Sequence, residues 1–532
     1  MRNPRKSSNG SLGTDFLPPL VIARLVISII FSLSSIADSF SSYHFTKIPP
    51  PLPILPLPSS SQLSWQLGEM ALFLHFGTNT FTDSEWGTGH ADPSIFDPGL
   101  TLNASQWAQV ARDAGFSRII LTAKHHDGFC LWPSSYTNYS IAASPWRGGK
   151  GDVVADLAAA AREADLGLGL YLSPWDRHEA CYGKTLAYNE YYIGQMTELL
   201  TGYGLIKDVW LDGAKGEGEK NMDYYFDCWF ELIHQLQPEA TIFSDAGPDS
   251  RWIGDEAGIA GSTCWSLFNK SSVTIGGNND YQYSRDGDPL GHDWVPAECD
   301  VSIRPGWFWH SSEHPKSAAT LLDLYYRSVG RNCLLLLNVP PNSSGLISDE
   351  DIQVLQDFAE LRRIIFSNNL AENASVTANN TRGGIADPRF SPYNVLKEGI
   401  YSYWAPEEGQ SIWAIYMDLG QLSPFNVLQV QEPIQMGQRV IEFHLDFLTE
   451  GEWRTIINGT TVGYKRLIRF TLVKSQWVRF VIDKSRADPL ISYLGFYLDP
   501  FSGLNTSSWY FDSSHVQQKA YDISSNATKA TM

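Results

Sequence analysis

Carboxylates, histidines and tryptophans in this chain collect just after short apolar runs. Asp208-Val209-Trp210-Leu211-Asp212-Gly213 sets an acid directly after β-branched and aromatic residues. Leu74-His75-Phe76-Gly77 is soon followed by Glu85-Trp86-Gly87, and Lys124-His125-His126-Asp127-Gly128-Phe129 ends another run. Ser173-Pro174-Trp175-Asp176-Arg177-His178-Glu179 and Arg251-Trp252-Ile253-Gly254-Asp255-Glu256 repeat the pattern. Many carboxyl groups and Trp, with no Gly-rich phosphate cradle, suit a neutral polyol whose hydroxyls take polar bonds and whose C–H faces pack on rings. Glycoside hydrolysis needs two carboxyl groups flanking one bond, one an acid and the other a nucleophile or base. Asp212, held by a strand end, is the nucleophile candidate. Locally, Asp212-Gly213 also reads as a plain turn. Adjacent strand residues face opposite sides, so His125 and His126 do not share one ion. A set of His75, His125 and His178 is the metal-site alternative. No cofactor or metal is expected.

The elements that must carry these residues alternate. Strands are expected at 71–77, 118–124, 166–173, 208–213, 240–245 and 332–339, with two more at 262–266 and 301–308. Helices are expected at 105–114, 152–164, 188–202, 223–236 and 315–329. Such alternation means β-α units around a parallel sheet, and eight units over roughly 280 residues make a (β/α)8 barrel. In a barrel the reactive side chains come from the C-terminal strand ends, which is where the polar groups above lie. After about residue 371, strand-like pieces at 411–419, 426–432, 439–447, 455–459, 465–472 and 477–482 replace helical periodicity, as in an all-β sandwich. The expected order is therefore α/β: a signal peptide (1–37), a proline-rich linker (38–60), the catalytic barrel (61–345) and a connecting helix (346–370). The sandwich (371–500) and a polar tail (501–532) follow.

Composition narrows the partners. The 532 residues, 43% of them hydrophobic, are enough for two or three domains with sizeable cores. A net charge of −19 argues against nucleic acid and anionic membrane. Arg2, Arg5 and Lys6 precede the apolar stretch Leu25-Val26-Ile27-Ser28-Ile29-Ile30-Phe31, the pattern of a secretory leader and short for a membrane span. N-x-S/T sequons at Asn103, Asn138, Asn269, Asn342, Asn373, Asn379, Asn458, Asn505 and Asn526 fit that route. The 6 cysteines allow up to three disulfides in an oxidising compartment.

In order along 61–341, the blocks Leu74–Gly77, Glu85–Gly87, Ala123–Phe129 and Val209–Gly213 resemble α-L-fucosidases of glycoside hydrolase family 29. The block Gly459-Thr460-Thr461-Val462-Gly463-Tyr464-Lys465-Arg466 resembles the plant members, of the branch that prefers α-1,3 and α-1,4 fucosyl linkages. That resemblance implies a barrel plus a sandwich and a retaining double displacement, with the nucleophile at Asp212. Its acid/base falls in the loop after the fifth strand, at Glu256. Glu298 is a second candidate, as acid/base or as a contact to the sugar next to fucose. The implied fucose pocket comprises His75, Glu85, Trp86, His125, His126, Trp210 and Arg251. A retaining pair predicts carboxyl groups about 5–5.5 Å apart. The implied partner is a fucosylated oligosaccharide or N-glycan, met outside the cell in the apoplast or wall. A fucose-binding lectin-like barrel and a metal-dependent barrel hydrolase are the rival readings.

Overall fold

Met70–Leu74 (β1) and Arg118–Lys124 (β2) are buried along their whole length. Strands covered on both faces belong to a sheet with a layer on each side. In the computed structural model of the chain, residues 48–384 and 387–502 are described, and they show how that is met. Gly167–Leu172 (β3), Asp208–Trp210 (β4), Thr241–Ser244 (β5) and Ser250–Trp252 (β6) continue the series. Leu267–Phe268 (β7) and Asp293–Trp294 (β8) form a small antiparallel pair apart from it. Ala297–Ser302 (β9) and Leu334–Asn338 (β10) close the ring β1-β2-β3-β4-β5-β6-β9-β10, parallel throughout. The barrel expectation holds.

Its helices start where capping chemistry predicts. Asn103, Asp152 and Ser317 each accept the N–H of the residue three positions on, opening Ala104–Asp113, Val153–Glu163 and Ala318–Arg327. Ser60–Leu67, opened by a reciprocal Ser59–Gln62 capping box, delivers buried Trp65 to the interior cluster of Phe73, Ile120, Tyr171, Phe243, Leu334 and Leu336.

Two strands lie elsewhere than expected. The sixth is Ser250–Trp252 rather than 262–266, and the seventh is Ala297–Ser302 rather than 301–308. β6 is three residues long, with no apolar run and only residues 245–249 between it and β5, so no periodicity marks it. β9 reads Ala-Glu-Cys-Asp-Val-Ser; its inward positions are polar, the reverse of a core strand. The segment 253–296, loop with the short helix Tyr281–Asp286 and the β7–β8 pair, stands where a regular barrel helix would be.

Beyond the helix Asp349–Phe366 the chain forms one antiparallel sheet: Ser375–Ala378 (β11), Trp413–Gln431 (β12), Val440–Thr449 (β13), Glu452–Gly459 (β14), Arg466–Ser485 (β15) and Tyr493–Tyr497 (β16). Four of the expected pieces merge into β12 and β15, which pair along their length with register shifts between Asp418/Ser423 and Phe425/Val427. One half of β12 pairs β11 and the other pairs β16. Side chains of both halves, among them Ile415, Met417, Leu428 and Val430, share one core with Phe443 and Phe496. The sandwich is thus one sheet folded over at its bulges.

The block Gly459–Arg466 lies where sheet meets barrel. Tyr464 donates its N–H to Asn332 Oδ1 at 2.9 Å and its hydroxyl to the Cys333 carbonyl at 3.0 Å. Gly463 has φ 72°, and a Cβ there would sit 2.1 Å from the Asn332 side chain, so only glycine fits. Of the three allowed disulfides one forms, Cys299–Cys333, joining β9 to the residue before β10. Cys130, Cys181, Cys228 and Cys264 are free thiols. Among the described residues no helix is long and apolar enough to cross a membrane. The leader at 1–37, the first part of the linker and the sequons Asn505 and Asn526 lie outside the described residues.

Candidate active site

The C-terminal strand ends surround a cavity of about 290 Å³ lined by His75, Glu85, Trp86, His125, His126, Trp210, Asp212 and Glu256, among others. Asp212 follows β4. Its Oδ2 accepts the Tyr171 hydroxyl at 2.9 Å and its Oδ1 accepts the Ala214 N–H at 2.7 Å. Both oxygens are held, and the carboxylate cannot swing away from the cavity. A Cβ at Gly213 would lie 3.0 Å from the Asp245 carboxyl, so a larger residue there would press on that group.

The histidines are held neutral and oriented. Asn338 donates its amide to Ser302 Oγ at 2.9 Å and to the Trp307 carbonyl at 2.8 Å. Its Oδ1 therefore accepts, and His75 Nδ1, at 2.8 Å, carries the proton. Ser173 donates its hydroxyl to the Trp175 carbonyl, so His126 Nδ1, 2.8 Å away, is likewise the donor. In both rings Nε2 is left as an acceptor, that of His126 lying 3.5 Å from Asp212. Burial lowers all three imidazoles, His75 to about 4 and His125 well below its ordinary value. Neutral acceptors at fixed positions suit sugar hydroxyls.

Aromatic rings complete the walls. Trp210 stacks on Phe243 with centroids 4.3 Å apart and forms the floor. Trp86, 49% exposed, braces its edge on Trp175 at 5.2 Å and offers a face at the rim. Glu85 is used within the protein: it accepts the backbone N–H groups of Trp307 at 2.9 Å and Phe308 at 3.1 Å, and His310 Nε2 at 2.7 Å. It clamps the first loop to the loop after β9.

Glu256 stands at the rim, where Trp307 donates its indole N–H to Oε2 at 3.1 Å. Partial burial raises its carboxyl above the ordinary range, with nearby Asp212 and Glu85 adding to the shift. Trp252, the nearer Trp in sequence, donates instead to Asp300 Oδ1 at 2.6 Å.

The structure separates two expected site residues from the cavity. Trp252 faces inward, so Arg251, its neighbour on β6, faces outward. There Arg251 is fully buried and donates to the carbonyls of Ser284 and Trp265, each at 2.9 Å, and of Val295. It fastens the 253–296 segment. Glu298 points into the barrel, but Asp300, two residues on, is the acid that reaches the cavity. Two strand residues are about 6.6 Å, so Glu298 lies a layer below, bonded to Trp210 Nε1 at 2.8 Å. His178 is also off the cavity, stacked on Tyr139 with centroids 3.9 Å apart and bonded to the Gly89 carbonyl. His75, His125 and His178 therefore do not converge. Among the described residues no cluster of His, Cys, Asp and Glu has a metal-holding arrangement.

Asp245 and Asp300 line the cavity and were missed as site residues. Asp245 accepts the Gly276 N–H at 2.8 Å, drawing the loop of Gly276 and Gly277 over the site. The signal for Asp245 was available: it closes the fifth apolar run as Asp212 closes the fourth. Asp300 gave none, because its strand was placed too late.

The buried acids have a consequence for stability. Burial raises Glu298 to about 8, Glu432 to about 7, Asp127 and Asp245 to about 6, and Asp300 well above its ordinary value. A raised acid gives stability that is complete below its unfolded value near 4 and is lost as pH climbs through the folded value. The depressed histidines act oppositely: their contribution is complete above about 6.5 and lost as pH falls toward 4. Between about pH 6.5 and 8 the acids dominate. Tm should therefore drop by at least a few degrees over that interval in scanning calorimetry, and Glu298→Gln should flatten the slope. A Tm that rises or stays level would show that these carboxyls are already ionised.

Comparisons with known proteins agree with this chemistry. Residues 75–363 match the family described as alpha-L-fucosidase. "Alpha-L-fucosidase 1" of Arabidopsis thaliana is 66% identical over 477 residues, covering 89% of this chain and 93% of that protein. The crystal structure of SpGH29 aligns with a TM-score of 0.80 at 40% identity, over 84% of this chain and 100% of that one. A Ruminococcus gnavus GH29 fucosidase, solved in complex with fucose, aligns with a TM-score of 0.79 at 35% identity, over 85% and 96%.

Proposed function

The chain belongs to the alpha-L-fucosidase family and is a glycoside hydrolase acting on fucosylated glycans; from that premise we propose that it works by retaining double displacement, with Asp212 as nucleophile and Glu256 as acid/base. The observation that carries this reading is that both carboxyl groups line one monosaccharide-sized cavity, one anchored at its floor and the other raised in pKa at its rim. Asp212 forms a bond to the anomeric carbon as the glycosidic C–O bond breaks, and Glu256 gives its proton to the departing oxygen. Water then attacks the fucosyl-enzyme, losing its proton to Glu256 and releasing Asp212. His75 and His126 accept hydroxyl protons of the sugar, while Trp86 covers one face of its ring. Glu298, a layer below and without access to the cavity, is not needed for either proton transfer.

The linkage we assign is α-1,3/α-1,4, on the likeness of Gly459–Arg466 to the plant members. Secretion into the apoplast or wall is supported by the leader sequence and by sequons on the surface. Asn103, Asn138, Asn373 and Asn458 are exposed. By contrast, Asn269 and Asn342 are half-buried and their amide nitrogens donate to Asp288 and Ser348, while Asn379 is exposed with its amide nitrogen donating to the Ile412 carbonyl. The test is proton NMR of the first turnovers on α-1,2-, α-1,3/1,4- and α-1,6-fucosylated oligosaccharides. The α-anomer of fucose should appear first, from the α-1,3/1,4 substrates. β-Fucose appearing first would overturn retention; faster release from an α-1,2 substrate would overturn the linkage assignment.

A further inference from the structure

His310 faces a carboxylate at each ring nitrogen. Its Nδ1 lies 2.6 Å from Asp83 Oδ1 and its Nε2 lies 2.7 Å from Glu85 Oε1. Glu85 accepts the Trp307 N–H on one oxygen and the Phe308 N–H on the other, so it is an acceptor toward His310 too, and Nε2 carries a proton. A neutral ring would then turn the Nδ1 lone pair on Asp83, where two acceptors repel. The geometry fits an imidazolium held between two carboxylates. Burial lowers the ring's pKa, but the bonds to Asp83 and Glu85 and the charges of Glu85 and Glu313 outweigh it and raise it above the ordinary value. Asp83 and Glu85 come from the first barrel loop, and Glu313 from the loop of His310 itself. The other titratable side chains of that loop are engaged elsewhere: Arg304 with Asp351 at 2.9 Å, His314 with Glu350 at 3.1 Å, and Lys316 with the Ser302 carbonyl at 2.6 Å.

This contact joins two walls of the cavity. Glu85 leads directly into Trp86, and Glu85, Trp86 and Trp307 all line the site. Trp307 also donates its indole N–H to Glu256, and the Phe308 ring packs on His75 and His125 with centroids 5.4 and 5.0 Å away. A Cβ at Gly306 would lie 2.6 Å from Glu85 Oε1 and 2.9 Å from His310 Cδ2, so a side chain there would press on both partners of the bond. With the cavity taken as the fucose site, as assigned above, we propose that His310 is a positioning residue for sugar binding: as an imidazolium it clamps the Trp86 and Trp307 walls together, and it loosens them when it loses its proton. A neutral His310 can donate to only one of its two carboxylates. The effect falls on KM, because Asp212 is anchored separately by Tyr171 and Ala214.

Wild-type KM for an aryl α-L-fucoside should rise about three- to tenfold between about pH 6 and 9, separately from the alkaline fall in kcat that Glu256 produces. Asp83→Asn removes one of the two charges and should move that rise to lower pH; the backbone there has φ 53°, which asparagine tolerates. His310→Ala should raise KM at every pH and leave it level. His310→Arg, which keeps a charge and two donors but does not titrate, should hold KM low and level. Tm without substrate reports that each variant is folded. A wild-type KM that does not change with pH overturns the clamp, as does a rise that stays in place in Asp83→Asn or survives in either His310 variant. Absence of wild-type activity on any fucoside would instead overturn the proposed function itself.

Discussion

Asp212→Gly is expected to lose about 10⁴-fold or more in kcat on an activated aryl fucoside, a rise of about 5.5 kcal/mol in the barrier. The loss is large because no other carboxylate can take over. Asp245 and Asp300 line the same cavity, but burial raises Asp300 well above the ordinary carboxylate range, and Asp245, raised to about 6, already accepts the Gly276 N–H. The fold should survive. Asp212 makes two hydrogen bonds, to Tyr171 and Ala214, and losing them costs about 1–3 kcal/mol. Glycine also leaves a gap next to the anomeric carbon that azide can enter. Azide would then form the C–N bond from the vacated side as the aryl oxide departs, giving the β-fucosyl azide. Two results would refute the assignment: hydrolysis near the wild-type rate without azide, or an azide product of α configuration.

That prediction rests on a residue legible in the sequence, and the reason is physical. Asp212 ends an apolar strand, and a barrel presents its strand ends to one site, so position implied function before any geometry was known. The same logic failed at Arg251. Ser250–Trp252 is too short to show alternation, and without it nothing told that Trp252 faces in and Arg251 out. Glu298 failed differently, for its position along the strand decides whether a carboxyl reaches the cavity or the layer beneath. The all-β region was recognised, but Gly420 and Pro424 broke β12 into apparent pieces. The edge strands Ser375–Ala378 and Tyr493–Tyr497 were missed. Register and layer are tertiary properties, set by partners distant in sequence; strand ends are local.

Glu256→Ala should show a loss that depends on the leaving group. A departing sugar leaves as a strongly basic alkoxide unless it is protonated, so kcat/KM on an oligosaccharide should fall by roughly 10²–10⁴-fold. A dinitrophenyl fucoside needs no proton to depart, and its first step should stay close to wild type while hydrolysis of the fucosyl-enzyme slows. The intermediate then accumulates, and added azide should trap it as the α-fucosyl azide, the product of two inversions. The pH profile gives an independent reading. Glu256 must be protonated to act as acid, and its pKa is raised by burial, so activity should decline at alkaline pH as it ionises. Glu256→Gln should abolish that decline for the activated substrate, because glutamine does not titrate. Glu298→Gln should keep it, since the amide oxygen can still accept Trp210 Nε1 and the cavity is untouched. If Glu298→Gln removed the alkaline limb and Glu256→Gln retained it, the proton would have to reach the leaving oxygen through the floor of the site. The layer of Trp210 and Asp300 above Glu298 would then have to open during turnover, which solvent exchange at the Trp210 indole N–H would reveal.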